Sequence, residues 1–132
     1  MRKLFLAIFV AVLLSSCWDN ANPVFMESDV PSLTVDGKTV FEYNPNTCQL
    51  GYSPTKHEFR IHTDNMSDYF VIRMNREPST EGENVKADLK WTSNSTEKKM
   101  TGVQFAVGKV GNDGTVWLWS HKEKVGVIVR KL

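Results

Sequence analysis

Residues 84–92 read NVKADLKWT, and their alternation decides the fold class. Val85, Ala87, Leu89 and Trp91 take every second position, with Lys86, Asp88, Lys90 and Thr92 between them. A period of two belongs to a β-strand with one face buried and the other in water, whereas a helix would repeat at 3.6. The same period extends outward in both directions. Upstream, DYFVIRMN (68–75) puts Phe70, Ile72 and Met74 on one face. EFRIHT (58–63) does so with Phe59, Ile61 and Thr63, and TCQLGYS (47–53) with Cys48, Leu50 and Tyr52. Downstream, MTGVQFAVGKV (100–110) aligns Val103, Phe105 and Val107, and VGVIVRKL (125–132) aligns Val125, Val127 and Val129, with TVWLWSH (115–121) between them. SLTVDGKTVFEY (32–43) carries Asp36-Gly37 between β-type residues, a strong hairpin signal.

Polar, turn-rich segments separate these runs: SPTKH, TDNMS, REPSTEGE, SNSTEKK, GNDG and KEK. About eight short strands with no helical period predict an all-β domain, and the short connections predict antiparallel neighbours. An antiparallel β-sandwich is the expected architecture, because a single flat sheet would leave its apolar face wet. An eight-strand meander barrel is the alternative.

The first residues are of another kind. Arg2 and Lys3 precede LFLAIFVAVLL (4–14), an apolar run too short to span a bilayer, which needs about 20 residues. It fits the core of a secretory signal peptide over residues 1–16. Leu14-Ser15-Ser16-Cys17 resembles the lipobox of bacterial lipoproteins. That resemblance implies lipidation of Cys17, cleavage just before it, and a membrane anchor that spans nothing. A single acyl chain holds only marginally, so the two or three chains of that class are needed for firm attachment. The competing reading is an ordinary signal peptide that ends near a cysteine. Residues 17–31 carry two prolines and three acids without a period and read as a lipidated tether, with Trp18 at headgroup depth. Residues 32–132 form the single all-β domain.

Loss of residues 1–16 removes two basic side chains, leaving 14 basic and 15 acidic ones and a net charge of −1. Charges of both signs are interspersed, and this excludes a nucleic-acid partner. With Cys17 lipidated, Cys48 stands alone and reads as a buried, inert thiol.

No sequence motif for catalysis, a metal or a cofactor is present. His57, His62 and His121 lie in separate elements and have no metal-ligand spacing. The expectation is a non-enzymatic protein without a cofactor. One stretch stands out, VWLWSHK (116–122). On a strand, Trp117, Trp119 and His121 share a face, opposite Val116, Leu118 and Ser120. Either the strand is buried on both sides, or the two indoles form a ligand platform on which a sugar could stack. Trp91 continues an apolar stripe and reads as core.

TCQLGYSPTKHEFRI, TDNMSDYFVI, LKWTS and GTVWLWSHKEKVGVIVR resemble a group of small lipoproteins from gut-dwelling Bacteroidota, over about residue 33 to the end. The resemblance implies an envelope lipoprotein and suggests a β-sandwich. It implies no activity and carries over no functional residue. Surface-exported lipoproteins of these bacteria often carry an acid-rich signal after the cysteine, and here Asp19 is the only acid near it. The expected location is the bacterial cell envelope, at the outer membrane. The expected function is binding of a ligand or partner, a glycan at Trp117, Trp119 and His121 being the most concrete case. The alternative is an accessory subunit of an envelope protein complex.

Overall fold

The computed structural model describes residues 29–131, so the signal sequence, Cys17 and Trp18 lie outside the described residues. Nine strands follow in chain order: β1 (Ser32–Val35), β2 (Lys38–Glu42), β3 (Cys48–Ser53), β4 (Glu58–Thr63), β5 (Tyr69–Met74), β6 (Asn84–Ser93), β7 (Thr96–Val110), β8 (Thr115–Ser120) and β9 (Val125–Arg130). Among the described residues there is no helix.

The all-β class is as expected, and the arrangement follows the barrel alternative. All nine strands form one antiparallel sheet, ordered β2-β1-β9-β8-β7-β6-β5-β4-β3. From β3 to β9 each strand pairs with the next in sequence, as short connections dictate. The β1–β2 hairpin then adds to the free side of β9, through Leu33 opposite Val127. The sheet buries its apolar face by curling on itself, so no second sheet is needed to cover it. One continuous core gathers inward residues from every strand, with Phe59, Phe70, Phe105, Leu118 and Val127 among its buried members. Trp91 and Cys48 belong to it, as the alternation indicates.

The two edges of this sheet are consecutive in the chain. An even number of antiparallel steps separates β2 from β3, so the two run in the same sense. Residues 43–47, only five, join them. Such a link is too short for a crossover, so β3 must continue the line of β2. A turn holds the joint: the amides of Thr47 and Cys48 both donate to the Asn44 carbonyl oxygen, at 3.1 and 2.8 Å.

The alternation of strand direction also defines two ends. At the far end lie the turns at 36–37, 64–68, 94–95 and 121–124. At the near end lie the turns at 54–57 and 111–114, the loop 75–83, Lys131, and the chain entering β1. One segment departs from the sequence reading. SNSTEKK is not a loop: Asn94 and Ser95 alone turn the chain, both at positive φ, and β7 begins at Thr96. Its first four residues are exposed, so no apolar alternation marks them as strand.

A side-chain latch closes the near end. The Tyr52 hydroxyl donates to Glu77, and the Lys131 ammonium lies 3.0 Å from the same carboxylate and 5.8 Å from the Tyr52 ring centroid. It ties β3 to the segment after β9, two strands that share no ladder. Burial, then the Glu77 contact, pushes Tyr52 up to about 12. The Tyr52 hydroxyl, then Lys131, holds Glu77 below the usual carboxylate value of 4.5. The two shifts act at opposite pH limits. Glu77 contributes stability that is present above pH 4.5 and is lost as pH falls through its lower folded value. Tyr52 contributes stability that is full below pH 10 and fades between 10 and about 12. Urea midpoints measured from pH 3 to 6 will drop toward acid, and Glu77→Gln will flatten that limb.

Candidate functional site

The indole pair lies on the outer face of the curl, on β8. Opposite Trp117 stand Lys109 on β7 and Ile128 on β9, and opposite Trp119 stand Ala106 and Gly126. Lys109 reaches this face because of a β-bulge. Two positions of β7, from Val107 to Lys109, oppose one step of β8, from Leu118 to Trp117. The extra residue, Gly108, moves Lys109 off the inward face of Val107 and beside Trp117.

Trp117 is not offered to solvent. It is 7 % exposed, packs with Ile128 and has Trp119 against it half-buried. The Lys109 ammonium sits 5.0 Å from its ring centroid, at cation–π range. Its indole N–H donates to Asp29 Oδ1 at 2.9 Å, and Lys109 Nζ lies 2.9 Å from both Asp29 oxygens. Arg130 donates to the Asp29 backbone carbonyl at 3.1 Å and, through Nε, to Thr115 Oγ1 at 3.2 Å. Three residues from three strands thus hold one residue of the segment before β1. Trp117, one of the two indoles expected to stack a sugar, thus helps to clamp the chain where it enters the domain. His121 is not part of this face: β8 ends at Ser120, and His121 is exposed in the following turn.

Asp29→Ala will leave Lys109 without its carboxylate partner and unpair the Trp117 N–H, while Arg130 keeps the backbone carbonyl of residue 29. Each lost hydrogen bond of a half-exposed group is worth about 1 kcal/mol. The expected result is a stability loss of about 1–2 kcal/mol with a red-shifted, more quenchable tryptophan emission.

A second site lies at the far end. A cleft of about 410 Å³ opens where β2 hands over to β3. The upper ends of β4, β5 and β6 wall it with Thr63, Asp68 and Thr92, and Cys48 is at its floor. Thr92 Oγ1 donates to Asp68 Oδ1 at 2.9 Å and accepts from the Tyr69 amide at 3.1 Å, which fixes that wall. A bulge at Val40, where β2 gains a residue between Phe41 and Thr39, turns a third-exposed Val40 toward the cleft.

No family model, curated protein or solved structure matches this chain.

The structure brings Trp117 and Trp119 together on β8 and places His121 in the turn that follows it. His57 lies in the near-end turn and His62 at the upper end of β4, so the three histidines stay in separate elements. Among the described residues, no three His, Cys, Asp or Glu side chains converge as metal ligands. Sequence reasoning missed Asp29, Lys109 and Arg130. Asp29 falls in an aperiodic stretch, and strict alternation assigns Lys109 to the inward face. The cleft was hidden too, since its walls come from three separate chain regions that meet only when the sheet curls.

Proposed function

We propose that this chain is a non-enzymatic, lipid-anchored recognition protein of the bacterial cell envelope. It is held at the outer membrane through Cys17 and binds a ligand or partner with its far end. The observation that carries the reading is a chain entry fastened to the outer face of the sheet, with a separate polar cleft left open. The chain enters at the near end, where Asp29 is fastened to Trp117, Lys109 and Arg130. The cleft is lined by none of these residues; its walls come from the β2–β3 joint and from the turns after β4 and β6. Eleven residues lie between Cys17 and Asp29, a reach of at most about 40 Å for extended chain. An anchor at Cys17 would therefore hold the domain within that reach of the bilayer, with the cleft open to a ligand or partner.

The test is fractionation with mass spectrometry. The wild-type chain should sediment with membranes, resist a high-salt wash, enter detergent, and carry acyl mass on an N-terminal Cys17. Cys17→Ser should abolish the acyl mass and the cleavage before position 17. Wild-type protein recovered without lipid in the soluble fraction would overturn the proposal.

A further inference from the structure

We infer that the far-end cleft is a binding site for a neutral, polyhydroxylated ligand of about disaccharide size. This deepens the proposed function by naming what the far end takes. The inference begins with the charge of the lining. Glu42 and Asp68 contribute carboxylates, Asn44 and Asn94 amides, and four Ser or Thr residues hydroxyls. No Lys, Arg or His lines the cleft, so a phosphate or carboxylate ligand would face two acidic groups without a counter-charge. Only three apolar side chains line it, Val40, Phe41 and Cys48, and the last two are buried members of the core, which leaves too little open apolar surface for a lipid chain or a large aromatic ligand.

A sugar matches this mixture in two ways. Each hydroxyl both donates and accepts, so it can pair with a carboxylate, with either end of an amide, or with another hydroxyl. The C–H face of a pyranose is apolar and suits Phe41 and the exposed Val40. The volume, about 410 Å³, lies in the range of small-molecule sites. The walls are also ordered before any ligand arrives. Asp68 is fixed by Thr92. Asn94 stands in a two-residue turn with φ 51°. Asn44 anchors the joint between β2 and β3 and accepts the Asn46 amide on its Oδ1 at 2.9 Å. Asp68 and Asn44 therefore have little conformational freedom to lose on binding.

The experiment is saturation-transfer NMR on the full-length lipidated protein in detergent micelles. The probes are maltose, cellobiose, lactose and N,N′-diacetylchitobiose, with glucose 6-phosphate and spermidine as charged comparators. At least one neutral disaccharide should receive saturation, and glucose 6-phosphate should not. The signal should fall at least fivefold in Glu42→Ala and in Asn94→Gly, and persist in Trp119→Phe. Asn94→Gly suits the purpose because glycine accepts the positive φ while removing the amide. Thermal melts confirm that each variant is folded. Three results would overturn the inference: no transfer to any neutral sugar, transfer to spermidine alone, or a sugar signal lost in Trp119→Phe and kept in Asn94→Gly. None of them bears on the acyl mass at Cys17, so the anchoring proposal stands or falls separately.

Discussion

Phe105→Ala should destabilise the domain by about 3–5 kcal/mol, the cost of replacing a fully buried phenyl ring with a methyl group. Phe105 is 0 % exposed and projects into the curl from the middle of β7, with Val85 opposite on β6. Its inward neighbours along β7, Val103 and Val107, are buried as well. The cavity cannot collapse easily, because the strands around it are fixed by ladders on both sides. For a domain near 100 residues, each kcal/mol lowers the melting temperature by roughly 4–8 °C, so the melt should fall by more than about 10 °C. Phe105→Leu should lose less than half as much. A loss below about 1 kcal/mol for Phe105→Ala would mean that the interior is loosely filled rather than packed.

Gly114→Ala should be the most damaging single-methyl addition at the near end. Gly114 has φ +88°, and a Cβ placed there would lie 2.8 Å from the Lys131 carbonyl oxygen and 3.3 Å from its nitrogen. Both contacts are backbone, so no side chain can swing aside. Backbone strain at such a φ costs about 1–3 kcal/mol, and overpacking adds a comparable amount. Gly82→Ala separates the two effects. Gly82 has φ +90° with nothing within 4 Å of its Cβ, so it carries the strain without the clash. Denaturant midpoints should therefore rank wild type above Gly82→Ala, and Gly82→Ala above Gly114→Ala. The Gly114 variant should also loosen the latch, because the Lys131 amide donates to the Gly114 carbonyl at 3.0 Å. Tyr52, held at about 12 in the intact protein, should then titrate closer to 10. Equal midpoints for the two variants would mean that the Lys131 backbone gives way freely.

Most of the fold was legible because period-two alternation reports burial directly. Val85, Ala87, Leu89 and Trp91 are all buried, as their spacing demands. The turn at Asp36-Gly37 was legible because both residues adopt positive φ. Whether one sheet or two would bury the apolar face was not legible. The same inward residues serve either solution, and the choice lies in how strand register accumulates around the curl. Bulges were invisible for a related reason. An extra residue such as Gly108 breaks parity without any compositional mark, and it moved Lys109 onto the face of Trp117. The functional surfaces inherit this difficulty. Two tryptophans spaced for a platform were plain to see, but the aspartate that covers one of them lies 88 residues away.

The entry of the chain through β1 also has a mechanical consequence. Any pull on the segment before Asp29 runs along β1, whose four residues pair with Val125–Ile128 of β9. Ladder bonds lie perpendicular to the strands, so tension along the strand loads them together, in shear, rather than peeling them one by one. The Asp29 contacts come first in line and act as a shock absorber. They can break and re-form while the β1–β9 ladder stays whole, so a tugged domain yields at its leash before it yields in its body.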